Sequence, residues 1–88
     1  EPGEISGSAM FELLEDEVKE AILSLPDDFR LAVIMADLED MSYKEIADRM
    51  ECPLGTVMSR LYRGRKLLRE KVRDYAIERR VIGEDAKD

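Results

Sequence analysis

The sequence predicts an all-α domain of four helices that contains a helix-turn-helix, and three observations predict it. Apolar residues recur every three or four positions through most of the chain, a spacing that lines one face of a helix. Helix-start signals divide the second half into a short helix and a long one: Ser42 with Glu45 three residues on, then Pro53 after a short break. No stretch alternates apolar and polar residues as a half-buried strand would, and there is no internal repeat or low-complexity tract.

Each element has its own justification. Residues 1–8 mix Pro, Gly and Ser without apolar periodicity and read as a flexible linker or lead-in. The domain proper is expected over residues 9–80. From about Ala9 to Leu25, the residues Met10, Leu14, Val18, Ala21 and Leu25 fall on one stripe, which predicts helix one. Pro26 interrupts it, and Asp27 and Asp28 suit the N-terminus of a second helix reaching about Glu39, with Phe29, Val33, Ile34 and Leu38 as its apolar positions. Ser42 then caps a third helix reaching about Met50. Glu51-Cys52-Pro53 breaks the chain, and Pro53 fits the first turn of helix four, where its missing N–H costs nothing. On helix four Val57, Leu61, Leu68, Val72 and Tyr75 share a stripe with Gly64, a place for another helix to approach closely. The helix runs to Tyr75 or beyond, before Gly83 and an acidic tail, residues 81–88, that is expected to fray.

Composition excludes several function classes. A chain of 88 residues makes one small domain, which leaves no room for a large enzyme, and no enzymatic activity is expected. The longest apolar run, Leu31 to Ala36, is far below the roughly 18–20 residues of a membrane span, and the N-terminus lacks the pattern of a secretory signal, so a cytoplasmic protein with no membrane partner is expected. With no histidine and Cys52 alone, the chain has no nitrogen and sulfur donors for a metal cage, and no cofactor is implied.

The net charge of −7 hides a segregation. Residues 1–52 hold 15 acids and 4 bases, residues 53–73 hold 1 acid and 7 bases, and residues 74–88 hold 5 acids and 3 bases. A block at +6 inside an acidic chain is an electrostatic footprint suited to phosphates, although charge alone does not separate that from a solvated helix face.

What separates them is arrangement. A short helix, a break of about three residues and a longer basic helix have the form of a helix-turn-helix at about 42–73, in which the second helix enters the major groove. Ala47 supplies the small residue where the two helices cross, and Ile46, Met50, Cys52, Val57 and Leu61 lock the unit. At about 100° per residue, Ser59, Tyr62, Arg63, Lys66 and Arg69 point away from the core stripe, with Met58, Arg60 and Arg65 on the flanks. Arg offers a bidentate fork to guanine O6 and N7, Ser donates or accepts, and Tyr62 or Met58 lies against a thymine methyl.

These residues carry a resemblance. The runs from Leu25 to Arg30, Met41 to Ala47 and Cys52 to Leu68, above all the element from Gly55 through Arg65, resemble the C-terminal promoter-reading domain of extracytoplasmic-function (ECF) sigma factors of bacterial RNA polymerase, over about residues 10–73. The form with Met58 and Gly64 is most similar to the stress-responsive branch that includes regulators of thiol-oxidative stress. The resemblance implies a domain that reads the −35 element of double-stranded promoter DNA while tethered to polymerase. It implies base-facing roles for Ser59, Tyr62 and Arg63 and backbone contacts from Thr56, Arg60 and Arg65; the helix face itself adds Met58 to the base-facing set and Lys66 and Arg69 to the phosphate contacts. It also implies docking on the flap of the polymerase β subunit and silencing by an anti-sigma factor, in which any zinc would reside; the candidate surface is Leu13, Ile22, Phe29 and Ile34, apolar residues of helices one and two that a domain this small is not expected to bury fully. Many members carry Arg in place of Met58, so one common contact is expected to be missing, and many helix-turn-helices carry Gly where Glu51 stands, so the turn is expected to use a conformation that a side chain tolerates. The promoter-melting domain that normally precedes this one is absent, so a piece of a longer protein is expected.

Two further classes compete: the output domain of a response regulator, which shares the helix-turn-helix, and a protein-interaction module built on helices one and two. Plainer roles fit the remaining residues. Cys52 is read as packing rather than a redox sensor, Tyr43 and Tyr75 as core or rim aromatics, and the acidic pairs at 27–28 and 39–40 as helix-end charges.

Overall fold

The computed structural model describes residues 11–87, and side chains as far as Arg79; the expected lead-in at 1–8, with Ala9 and Met10, lies outside them. Among the described residues, Phe11 and Glu12 are helical, and four helices follow them in order: α1 (Asp16–Leu23), α2 (Asp27–Val33), α3 (Tyr43–Met50) and α4 (Leu54–Lys87). The helix expected from Ala9 to Leu25 is interrupted at residues 13–15. The chain turns at Leu13 and Leu14, where Leu14 N–H donates to Phe11 O at 3.1 Å, and Glu15 is extended before Asp16 begins the helix.

The second helix also departs from expectation. It leaves α geometry at Ile34 and passes through a π-helical turn, Ile34–Leu38, closed by Glu39 N–H donating to Ile34 O at 3.0 Å. Asp40 then takes a left-handed conformation, with φ of 55°, and reverses the chain toward α3.

Entry into α3 follows the sequence signal. Ser42 Oγ accepts from Glu45 N–H at 3.1 Å and the Glu45 carboxylate accepts from Ser42 N–H at 2.9 Å, so both halves of the capping box are made. These hydrogen bonds, that from Ser42 N–H foremost, hold the Glu45 carboxyl below its usual value of about 4.5. A carboxylate whose folded pKa is depressed contributes stability above the unfolded pKa, and that stability is lost as the pH falls through the folded value. Ser42→Ala is therefore expected to cost about 1 kcal/mol near neutral pH. The half of the cap that Glu45 supplies should weaken in thermal melts as the pH falls through the folded pKa of its carboxyl, in wild type and Ser42→Ala alike, because the variant keeps the backbone N–H from which that carboxylate accepts.

The turn between α3 and α4 corrects one expectation. Cys52 N–H donates to Ala47 O at 3.0 Å and Glu51 N–H to Asp48 O at 3.3 Å, the two bonds of a Schellman closure, and Glu51 sits in the left-handed region at φ 53° and ψ 51°. Glycine normally occupies this place, so the side chain is accommodated at a cost of roughly 1–2 kcal/mol rather than avoided by a different turn. Cys52 packs against the core, and its sulfur accepts from Arg60 Nη1 at 3.8 Å.

The core sits where α2, α3 and α4 meet: Leu25, Ala32, Val33, Ile46, Val57 and Leu61 are buried, with Phe29, Met35, Ala47, Met50, Leu67 and Leu68 half-buried around them. Gly64 lies against α2, and a Cβ there would stand 3.1 Å from Val33 Cγ2 and 3.2 Å from Phe29 Cβ. The glycine is what lets the two helices touch. α4 is one continuous helix of 34 residues, about 51 Å long at 1.5 Å per residue, and its backbone stays helical through Gly83 to Lys87 where the sequence suggested a frayed tail. It spans nearly the whole 53 Å length of the molecule. Near its far end Arg79 pairs with Glu20 at 2.7 Å and Glu17 at 3.5 Å, which holds α1 against it.

A candidate nucleic-acid interface on α4

α3, the turn at 51–53 and the first half of α4 form the helix-turn-helix, and burial along α4 divides its residues as the stripe required. Val57, Leu61 and Gly64 are buried, and Leu68, Val72 and Tyr75 are half-buried. Ser59, Tyr62, Arg63, Lys66 and Arg69 are all exposed, Tyr62 to 70% and the flanking Met58 to 53%. An exposed tyrosine and methionine side by side on a basic helix have no packing role to explain them; they offer apolar surface to a groove wall.

Two shallow grooves flank this face. One is lined by Tyr43, Met58, Leu61, Tyr62, Arg65 and Arg69, the other by Phe29, Gly55, Thr56, Ser59, Arg60 and Arg63. The first joins the start of α3 to α4, so Tyr43, read from the sequence as a rim or core aromatic, stands at the rim of the same surface as Tyr62.

The cations divide into two groups. Arg63, Lys66 and Arg69 make no ion pair among the described residues, and their charges face solvent. Arg60 and Arg65, expected on phosphates, are both engaged within the fold. Arg60 Nη2 lies 3.5 Å from Asp28 Oδ2. Arg65 donates through Nε to Asp37 Oδ2 at 3.1 Å and through Nη2 to Asp37 Oδ1 at 2.6 Å, a bidentate pair across 28 residues. The hydrogen bonds to the Asp37 carboxylate hold the Arg65 guanidinium further above its already high pKa. Sequence reading missed Asp28 and Asp37 as partners, because nothing local marks an acid as the mate of a base on another helix. Thr56 is half-buried in the first turn of α4, which carries no acid.

The expected partner surface is divided as well. Leu13 is 72% exposed, but Ile22 is only 2% exposed and belongs to the buried interior, so it is corrected from interface to core. Phe29 is half-buried under Gly64, and Ile34 is half-buried in the π-helical turn. Leu23 and Leu31 are exposed apolar residues that the sequence reading left out. Among the described residues no cluster of His, Cys, Asp and Glu is placed to hold a metal ion, and no helix is long and apolar enough to cross a membrane.

Comparison with known proteins agrees with this geometry. Residues 15–68 match the family described as Sigma-70, region 4. The chain is 42% identical over 59 residues to the ECF RNA polymerase sigma-E factor of Haemophilus influenzae, covering 67% of this chain and 31% of that protein. It is 41% identical over 64 residues to the proteins of the same name from Escherichia coli K12 and Salmonella typhimurium LT2, covering 68% of this chain and 34% of each. The chain thus spans about a third of the length of these curated relatives.

Proposed function

Because the chain belongs to the sigma-70 region 4 family, we propose that it reads the −35 element of promoter DNA as the C-terminal domain of an ECF sigma factor, a transcription factor and not an enzyme. The observation that carries this reading is the exposed face of α4, where Ser59, Tyr62 and Arg63 stand beside Lys66 and Arg69 with no intramolecular ion pair among the described residues. Ser59, Tyr62 and Arg63, with Met58 on the flank, face the bases. Lys66 and Arg69 serve phosphates, joined by Thr56 and the start of α4, whose N–H groups favour anions. The response-regulator alternative loses ground to the family match over residues 15–68.

A single module buries roughly 600–1,000 Å² on DNA, and the acidic residues of α1 and α2 repel phosphates. Fluorescence-anisotropy titrations at physiological salt should therefore give affinities near the non-specific range of about 10⁻⁴–10⁻⁶ M, with useful recognition arising when polymerase supplies a high effective concentration. Nanomolar specific binding by these residues alone would contradict the tethered reading, and failure of in vitro selection to enrich any duplex would favour the protein-interaction alternative.

The polymerase β flap and an anti-sigma factor are the proposed protein partners, with Leu13, Ile34 and the rim of Phe29 as docking residues and any zinc held by the anti-sigma protein. A cytoplasmic location follows from this role. Of the narrower assignments, sigma-E-like membership rests on identities of 41–42%. The thiol-oxidative branch rests on the form of the motif with Met58 and Gly64, and Gly64 has a packing reason of its own.

A further inference from the structure

Arg65 lies on the rim of the proposed DNA face, where it lines the same groove as Met58, Tyr62 and Arg69, an opening of about 430 Å³. By position it should add a fourth cation to Arg63, Lys66 and Arg69. Its fork is instead filled by Asp37, which reaches it from the π-helical turn at the end of α2 with contacts of 2.6 and 3.1 Å. A carboxylate and a phosphate present the same paired oxygens to a guanidinium, so Asp37 occupies the contact that a DNA phosphate would make. A phosphate that displaced it would also leave the freed Asp37 charge beside its own. Arg60 differs, since its contact with Asp28 is a single one at 3.5 Å.

We propose that Asp37 is a specificity-determining residue that acts as an internal phosphate surrogate, withholding Arg65 from the DNA backbone and so lowering affinity for sequences other than the cognate site. The inference rests on the reading of α4 as the DNA-facing helix. Both side chains are partly open, Arg65 to 36% and Asp37 to 40%, so the pair is of the kind that contributes no more than about 1 kcal/mol to folding. Its removal should change binding more than stability. The function it serves is selectivity: phosphate contacts add affinity to all sequences alike, and a domain that acts while tethered gains from a strong ratio of cognate to random binding rather than from raw strength.

The test titrates this chain with a random-sequence duplex and an in vitro selected duplex across roughly 20–200 mM salt. Asp37→Asn is compared with Glu39→Gln, which removes the same charge from the neighbouring turn and has no ion pair among the described residues. Asp37→Asn should tighten random-duplex binding about two- to fivefold beyond Glu39→Gln and steepen the salt dependence by about 0.9, the signature of one more neutralised phosphate. The ratio of selected to random affinity should fall, and adding Arg65→Met to Asp37→Asn should cancel both gains. Arg65→Met alone should leave the slope unchanged.

Equal behaviour of Asp37→Asn and Glu39→Gln would overturn the proposal. So would a flattening by about 0.9 in Arg65→Met alone, because Arg65 would then already contact a phosphate. Weaker binding by Asp37→Asn together with a lowered Tm would make Asp37 a packing residue and overturn it too. If the unmodified chain bound neither duplex at the lowest salt, the DNA reading itself would fall, which the Asp37 comparison cannot mimic.

Discussion

Replacing Gly64 by valine is expected to destabilise the domain by about 3 kcal/mol or more, the largest effect of any single substitution outside the apolar core. The reason is the contact between α2 and α4. A Cβ on residue 64 would meet Val33 Cγ2 at 3.1 Å and Phe29 Cβ at 3.2 Å, and the carbonyl oxygen of Phe29 at 3.5 Å. The Val33 methyl can shift by rotation, but Phe29 Cβ is fixed to the α2 backbone, so the helices themselves must separate. Alanine sets two opposed effects against each other. It removes the helix penalty of glycine, about 1 kcal/mol, while crowding the same contact, so Gly64→Ala should lie within about 1 kcal/mol of the wild type. Valine adds two methyl groups to that gap and gains nothing further. Against a total stability of roughly 4–13 kcal/mol for a chain of this size, the loss is large enough to read directly from urea midpoints. A Gly64→Val variant with an unchanged midpoint would mean that α2 and α4 are not in close contact.

Arg63→Ala carries the largest expected effect on binding. Its side chain is exposed, has no ion pair among the described residues and lines the groove with Ser59 and Thr56, so its fork is available to guanine O6 and N7. Loss of that fork should cost about 1–3 kcal/mol on a selected duplex, roughly 5- to 150-fold, and relax selection at one base pair. Lys66→Ala should differ in kind: as a point charge near the backbone it should weaken selected and scrambled duplexes alike and reduce the salt slope by about 1. Equal losses on both duplexes for Arg63→Ala would remove it from base reading.

Much of the architecture was legible because its causes are local. The Ser42 and Glu45 capping box, the Pro53 start of α4 and the division of α4 into a core stripe and an exposed basic face each follow from residues within a few turns of one another. Gly64 was legible as a close approach because its place on the buried stripe leaves no other reason for a glycine. Other features depend on partners distant in sequence. The claims of Asp37 on Arg65 and of Asp28 on Arg60 join elements that no spacing rule connects. Ile22 was set outside the apolar stripe, yet it stands four residues after Val18 and three before Leu25, and the buried face of α1 is broad enough to take both Ala21 and Ile22. The left-handed Glu51 shows a different limit: sequence statistics favour glycine there, and the hydrogen bonds to Ala47 and Asp48 hold the side-chain residue in place regardless.

The clasp between Arg79 and the acids of α1 fixes an order of events during synthesis. Glu20 and Arg79 are separated by 59 residues, so α1 leaves the ribosome long before the surface that receives it exists. At about 5–20 residues per second, α1 waits roughly 3–12 s for its partner. With eight residues it is too short to persist as a helix alone in water, where isolated helices below about 12–15 residues are marginal. The helix-turn-helix, whose contacts lie within a shorter stretch, can assemble first. α1 then closes after the helix-turn-helix it precedes in the chain, as the far end of α4 emerges.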